Sequence, residues 1–514
     1  MRYDVIVIGG GHNGLTTAAL LGKAGRKVLL LERRSVLGGL AALEEFHPGF
    51  RTPGVLHDTS GIRRGVADAL RLEVHGLKWR AEEVPVFTPQ EEGSGLLLYR
   101  SAERAGVEIR GHSPRDAERY AAWRGFIERI RPMVSRLQNE PAPALGAKSA
   151  GDWWDLARMG LAFKRLAPAD LHDFLRIGPM CIADWLNEWF ETQVLKAALA
   201  GPAIAGTWMG PWSAGTVVTL LLQECAAGRE VEGGPAALTR ALESACRSNG
   251  VEIRLSRPVR RIRLEGGRAK GVDFSDGGAE DAPVVVSSCD PRTTFLNLLD
   301  PMDLPSRLET EIGHWRCRGT TGRVSLALTG PLEFAARIGG RFEAARIGEK
   351  LDDLEKAFDA VKYGEFSTLP HLEVRVPTVS DPTLAPSGHH VVSILAHFAP
   401  YELRGGWDEG RRQAFGEVVV ARLARFAPGL PDRIVAAEVM TPADLEDRYG
   451  LCGGQIHHGE QGLDQLFSLR PASSCSRHGT PIPGLYLCGS GTHPGGGITC
   501  APASLAAAAI LRGR

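Results

Sequence analysis

The sequence predicts an α/β protein in which a nucleotide-binding unit, assembled from both ends of the chain, is joined to a second, α+β unit. Three observations predict it: a β-branched run, a helical stretch and a second apolar run between residues 3 and 31; a glycine fingerprint in the turn of that unit; and a strand, glycine-rich loop and Ala-rich helix over residues 484–511. At 514 residues the chain is too long for one hydrophobic core, so two domains interleaved in sequence are expected.

Residues 3–8 are β-branched and apolar, residues 15–24 carry apolar side chains at helical spacing, and residues 27–31 form a second apolar run, the pattern of a βαβ unit. Gly9-x-Gly11-x-x-Gly14 follows the first strand directly and opens the helix. The first glycine permits a tight turn, the second lets the backbone approach a pyrophosphate, and the third lets the helix pack close to the sheet with its N-terminus facing the phosphate charge. Glu32 ends the second strand, where a carboxylate accepts hydrogen bonds from a ribose 2′-hydroxyl and repels a 2′-phosphate. NAD and FAD share that adenosine ribose, so the fingerprint serves either.

Bulk properties narrow the function. Lys plus Arg equals Asp plus Glu at 60 each, which gives no support for a nucleic-acid partner. The nine cysteines are scattered and never form Cys-x-x-Cys, so neither a disulfide framework nor a zinc site is indicated; no metal is expected, and a reducing compartment is. The first strand pattern starts at Tyr3, leaving no room for a signal peptide, and no apolar run approaches the roughly 18 residues of a membrane span. A cytoplasmic protein is the expectation.

Residues 58–90 mix polar and apolar side chains without a period. Residues 115–223 read as helical, with a Pro/Ala-rich loop or lid at 141–147. Six of the ten tryptophans (153, 154, 185, 189, 208 and 212) fall here, and suit either helix packing or a large apolar surface or pocket. Trp153-Trp154 followed by Arg158, Lys164 and Arg165 is a mix suited to a membrane interface, so peripheral membrane contact is an open expectation. Residues 233–235 open a helix over 236–248; residues 251–255, 259–264, 271–274 and 284–288 read as strands, with a hairpin turn at 265–267. Residues 300–442 form a second α+β block, with strands at 323–328, 371–376 and 390–397 and helices at 349–363 and 410–426. The expected division is residues 1–80, 230–300 and 450–514 in the nucleotide domain, and 81–229 and 301–449 in a substrate or cap domain.

The residues after Glu32 separate the two cofactors. Glu32-Arg33-Arg34-Ser35-Val36-Leu37-Gly38-Gly39 resembles the extended fingerprint of glutathione-reductase-type and amine-oxidase-type flavoproteins, in which the glycine pair passes over the pyrophosphate and ribityl chain. Arg34 is then either a phosphate or ribose neighbour or an exposed arginine. The run Gly489-Ser490-Gly491-Thr492-His493-Pro494-Gly495-Gly496-Gly497-Ile498 resembles the signature of the phytoene (carotenoid) desaturase and carotenoid isomerase-like flavoproteins. Gly233-Gly234-Pro235 with Pro258-Val259 resembles that family's middle segment, where the residue matching Val259 holds the adenine through its main chain. Gly453 to Gly459, Asp464-Gln465 and Arg470-Pro471 are most similar to the subgroup called pyridine nucleotide-disulfide oxidoreductase domain-containing protein 2.

The resemblance implies a discontinuous glutathione-reductase-type Rossmann-like FAD domain with a second α+β substrate domain. FAD is the implied cofactor, bound by Gly9, Gly11, His12, Asn13, Gly14, Glu32, Arg33, Arg34, Gly38, Gly39, Leu40, Val259, Gly489, Ser490, Gly497 and Ile498. Two departures bear on the chemistry. Thr499-Cys500-Ala501-Pro502 stands where the carotenoid desaturases continue Pro-Gly, and the redox cysteine pair and second nucleotide fingerprint of a disulfide reductase are both missing from the sequence.

His457 and His458 lie in a glycine-rich segment from which a side chain could reach the flavin ring and move a proton, or else are loop or core histidines. His493 is expected to hydrogen-bond the glycine loop, and Cys488 and Cys500 to be packing residues. The implied activity is FAD-dependent desaturation of an apolar small-molecule substrate by hydride transfer to N5, with oxygen or a quinone-like compound as electron acceptor. A redox-neutral flavin-dependent isomerase and a flavoprotein retained mainly for partner binding are the alternatives; a homo-oligomer is compatible with all three.

Overall fold

The computed structural model describes residues 2–144 and 150–513, so part of the expected 141–147 loop, residues 145–147, lies outside the described residues; residues 141–144 are irregular. The fold is α/β. Its first sheet is five-stranded, ordered Leu485–Leu487, Val284–Ser287, Val5–Ile8, Val28–Leu31, Glu252–Arg254, and parallel throughout. Val5–Ile8 and Val28–Leu31 are buried at every position, because a parallel sheet is covered on both faces and its strands read as unbroken apolar runs. Val5, Val7 and Leu30 point into one core with the helices His12–Lys23, Gly234–Ser248 and Ala501–Leu511. Ile6, Ile8 and Leu29 point into a second core beneath the antiparallel strands Val259–Glu265, Arg268–Phe274 and Ala279–Asp281. Gly266 (φ 57°) and Gly267 (φ 74°) make the left-handed two-residue turn between the first two of these.

The second sheet has seven strands, ordered Ile434–Met440, Thr321–Leu328, His390–His397, His371–Arg375, Ala344–Ile347, Val86–Thr88, Leu96–Leu98. Its pairs are antiparallel except Ala344–Ile347 with Val86–Thr88. Alternation divides its faces. Leu372, Val374, Val392, Ile394 and Ala396 pack against Phe415, Val419 and Leu423 of the helix Glu409–Ala424, so His371, Glu373, Arg375 and His397 lie on the other face. The strands Val86–Thr88 and Leu96–Leu98 have no clear sequence signal. Each is three residues long, and Val86–Thr88 finds its second partner some 260 positions away, at Ala344–Ile347.

The expected helical region contains Pro114–Asn139, Ala150–Lys164, Pro168–Ile177, Ile182–Trp189, Gln193–Ile204 and Thr216–Ala226. The Ser113 hydroxyl caps the longest, accepting the Asp116 N–H at 3.2 Å ahead of Pro114. The tryptophans divide by environment: Trp185 is buried with its ring 5.6 Å from that of Trp123, whereas Trp153 and Trp154 are each 64% exposed. Among the described residues no helix is long and apolar enough to cross a membrane.

Candidate active site

Two cavities meet between the sheets. One, of about 320 Å³, is lined by the fingerprint turn, Glu32 to Arg34, Gly38 to Leu40 and Val259; the other, of about 270 Å³, by the loop Pro494 to Thr499, the second sheet and the helices. Leu56 and Ile456 line both, so the two chambers adjoin across these side chains.

The three fingerprint glycines answer to different neighbours. A Cβ on Gly14 would stand 1.9 Å from the Gly9 carbonyl oxygen, and one on Gly9 (φ 95°) 2.4 Å from Ser288 Oγ. A Cβ on Gly11 would meet no atom within 4 Å, although Gly11 lines the chamber. Helix packing therefore demands Gly14, and only something inside the chamber would demand Gly11.

Glu32 is buried at the chamber wall, its Oε2 accepting the Gly10 N–H at 2.7 Å and its Oε1 the Arg34 N–H at 2.8 Å. Arg34 is not an exposed arginine. Its guanidinium pairs with Glu44 and lies 4.8 Å from the ring centre of Tyr449, whose hydroxyl donates to the same carboxylate at 2.8 Å. Arg33 lines the chamber too and donates to the Asp447 carbonyl at 3.0 Å. Gly38 (φ 112°) and Gly39 (φ 55°) turn the backbone past the opening, and Asn13 Nδ2 donates to Ser490 Oγ at 3.1 Å, fastening the fingerprint helix to the C-terminal loop.

His12 Nε2, Asn13 Oδ1, Arg34 Nη1 and His458 Nδ1 are buried without a hydrogen-bond partner, and all four residues line this chamber. Buried polar atoms are normally paired. Orphans of both donor and acceptor type around a helix N-terminus, with a cradle that a Gly11 side chain would fill, fit the dinucleotide half of FAD.

Gly497 and Ile498 lie in the second chamber, where the glycine loop leads into the helix Ala501–Leu511. Gly489 lines neither; a Cβ there would stand 2.5 Å from the Ser288 carbonyl oxygen, so it serves close packing of the loop on the neighbouring strand end. Consecutive histidines part company: His457 faces the second chamber, beneath Gly496, and His458 the nucleotide chamber. Burial holds both down to about 4, so both rings are neutral near pH 7 in the protein as it stands. His493 does not bond the glycine loop as expected. Its Nε2 lies 3.1 Å from the Glu140 carbonyl, and as a carbonyl can only accept, Nε2 is the donor. None of the six clustered tryptophans lines either chamber, which leaves packing and surface roles for them.

The second chamber also contains residues that the motifs did not reveal: His57, Arg63, Arg346, Glu373, Arg375 and His397. One signal for them exists in the sequence. His371-Leu372-Glu373-Val374-Arg375 alternates strictly, which marks a strand with one polar face, but not that this face is turned inward.

The chain matches the flavin containing amine oxidoreductase family over residues 103–510 and an NAD(P)-binding Rossmann-like domain over residues 7–62. It is 32% identical to pyridine nucleotide-disulfide oxidoreductase domain-containing protein 2 of Rattus norvegicus, covering 99% of this chain and 94% of that protein. It is 29% identical to a limonene dehydrogenase polypeptide of Castellaniella defragrans, over 97% and 92% of the two chains, and phytoene desaturases match at 25% to 26%. Among solved structures, an oxidoreductase from Methanosarcina mazei superposes over 99% of both chains with a TM-score of 0.59 at 17% identity, a likeness of fold.

Proposed function

The chain belongs to the flavin containing amine oxidoreductase family and is an FAD-dependent oxidoreductase, and from that premise we propose that it dehydrogenates a predominantly apolar small molecule, introducing a double bond. The observation that carries the reading is the shared wall: the chamber bounded by Pro494 to Thr499 adjoins the nucleotide chamber across Leu56 and Ile456, with the second sheet and the helices on its other sides. The limonene dehydrogenase polypeptide, whose name states dehydrogenation of a hydrocarbon, supports it.

Gly9, Gly11 and the backbone of His12 and Asn13 would hold the pyrophosphate, Glu32 the adenosine ribose and Val259 the adenine, with Arg33, Arg34, Gly38, Gly39, Leu40 and Ser490 completing the enclosure. Bound flavin supplies a hydride acceptor, and oxygen or a quinone-like compound takes the electrons onward. Gly497 and Ile498 would let the ring approach the glycine loop closely. The apolar walls at Leu56, Leu98, Leu199, Leu222 and Leu395 hold the substrate and keep water from it. His457 fixes the loop: its Nε2 donates to the Ala205 carbonyl at 3.2 Å, and its ring supports Gly496.

Anaerobic mixing of the holoenzyme with monocyclic terpenes and carotenoid precursors tests this. Bleaching of the flavin band with formation of the more unsaturated product is the expected outcome. Isomerised product with an unchanged flavin spectrum, or a flavin inert to dithionite and oxygen, would overturn it in favour of an isomerase or a partner-binding role respectively.

Access to such a substrate suggests the surface. On the helix Ala150–Lys164, Trp154, Arg158 and Leu161 follow helical spacing, and Trp154 and Leu161 are 64% and 55% exposed. We propose that this helix docks on a membrane surface.

A further inference from the structure

The polar face of the second sheet carries chemistry that an apolar substrate does not use. Arg346 and Glu373 are cross-strand partners, with Arg346 Nη2 donating to Glu373 Oε1 at 3.3 Å and Nη1 to the Ala198 carbonyl at 2.6 Å. His397 stands beside them on the next strand. Glu373 keeps 24% of its side-chain exposure although it lies deep in the fold, and both it and His397 line the second chamber.

The tautomer of His397 is set by its partners. The Gly206 N–H donates to His397 Nδ1 at 3.3 Å, and Thr321 Oγ1 lies 3.1 Å from the same nitrogen. An amide N–H only donates, so Nδ1 carries the lone pair and Nε2 the proton. That Nε2–H is buried and has no hydrogen-bond partner. The nearest carboxylate oxygen, Glu373 Oε2, is 3.8 Å away, beyond ordinary hydrogen-bond distance but near enough for the N–H to favour its charged form. Burial would raise the Glu373 pKa, but His397 and Arg346 beside it hold it well below the usual carboxylate range, so Glu373 is an acceptor. At this point the chamber wall thus presents a fixed donor and a fixed acceptor side by side, with Arg346 Nε, also buried without a partner, as a further donor next to them.

Few groups satisfy both. An ammonium would serve Glu373 but present N–H to N–H at His397. A carboxylate would serve His397 and be repelled by Glu373. An ether or ketone would leave Glu373 Oε2 unmatched, and a bare hydrocarbon would leave both. A hydroxyl accepts from His397 Nε2–H with its lone pair and donates its proton to Glu373 Oε2.

We propose that the substrate is an amphipathic alcohol, its apolar body along Leu56, Leu98, Leu199, Leu222 and Leu395 and its hydroxyl anchored between His397 and Glu373. This rests on the dehydrogenase reading for the chemistry, but the anchor itself is a binding site and needs no turnover. It makes His397 and Glu373 specificity-determining residues.

The test is an anaerobic titration of the FAD-loaded protein with heptanol, heptylamine, heptanoate and methyl hexyl ether, read as perturbation of the flavin absorbance band. Heptanol is expected to bind roughly tenfold or more tightly than any of the other three, because each of them leaves a buried polar group unpaired. Glu373→Gln replaces the acceptor by an amide that can donate, and is expected to move the preference from heptanol to the matching methyl ketone. Tightest binding of the amine or the carboxylate, equal binding of all four, no perturbation by any of them, or an unchanged alcohol preference in a flavin-loaded E373Q would overturn the anchor. If E373Q fails to retain FAD, the wild-type series decides alone. An alcohol preference without flavin bleaching by any unsaturable substrate would sink the dehydrogenase reading and leave the anchor standing. Bleaching by hydrocarbons without alcohol preference would do the reverse.

Discussion

Glu32 Oε2 accepts the Gly10 N–H at 2.7 Å, while the other oxygen of the same carboxylate accepts the Arg34 N–H at 2.8 Å. One buried side chain therefore ties the fingerprint turn to the segment leading into Gly38-Gly39, and stands where the ribose would lie. Glu32→Gln keeps the shape but replaces one acceptor with a donor facing an N–H. Losing a charge-assisted hydrogen bond costs about 1.5–3 kcal/mol. The affinity of the apoprotein for FAD, followed by quenching of flavin fluorescence, is expected to fall by about tenfold or more; equal affinity would show that Glu32 only braces the backbone.

Gly11 and Gly14 separate cofactor binding from folding. A Cβ on Gly14 collides with the Gly9 carbonyl oxygen at 1.9 Å, so Gly14→Ala is expected to destabilise the fold by about 1–3 kcal/mol, with a lower melting temperature even without FAD. A Cβ on Gly11 meets nothing within 4 Å in the protein itself. Gly11→Ala is expected to melt as the wild-type apoprotein does and yet fail to take up FAD. Comparing the two apoproteins by calorimetry, then loading both, checks the contrast.

Seven histidines, five of them buried and His57 and His458 half-buried, shape the acid limb of stability. Burial lowers His12, His457, His458 and His478 to about 4, and His57, His371 and His493 to about 3. Their folded pKa values lie below the unfolded value of about 6.5, so the unfolded chain takes up protons first. The stability they contribute is complete above about pH 6.5 and is lost as the pH falls towards 4 and 3, with a slope of up to about 1.4 kcal/mol per pH unit for each. Melting temperatures measured from pH 8 down to pH 4 are expected to be flat at first and then to fall steeply. His478→Asn, away from both chambers, is expected to make that fall shallower.

Membrane docking by the helix Ala150–Lys164 predicts that the purified protein floats with anionic liposomes and that Trp153→Ala with Trp154→Ala stays behind. Both side chains are 64% exposed, so their removal is expected to leave the melting temperature within about a degree of wild type. Wild-type protein remaining at the bottom of the gradient would end the proposal.

The nucleotide half of the molecule is legible along the chain. Gly9, Gly11, Gly14 and Glu32 occupy a local βαβ unit whose geometry is set within thirty residues, and the strand–loop–helix at the C-terminus has a composition that few structures other than a cofactor loop require. Local constraints of that kind leave a local record, because a glycine is needed at a fixed place whatever surrounds it. The substrate half left no such record. Val86 meets Ala344, Arg346 meets Glu373, and His397 stands 3.8 Å from Glu373 only because seven strands drawn from residues 86–440 align in one sheet. Strand alternation told that Glu373 and Arg375 share a face, not whether water or a chamber lies against it. Packing also divided His457 from His458, adjacent in sequence and facing different chambers, and moved His493 from the glycine loop to the Glu140 carbonyl. Which buried polar atom lacks a partner depends on everything around it, so the site's appetite for a hydroxyl is a property of the assembled sheet.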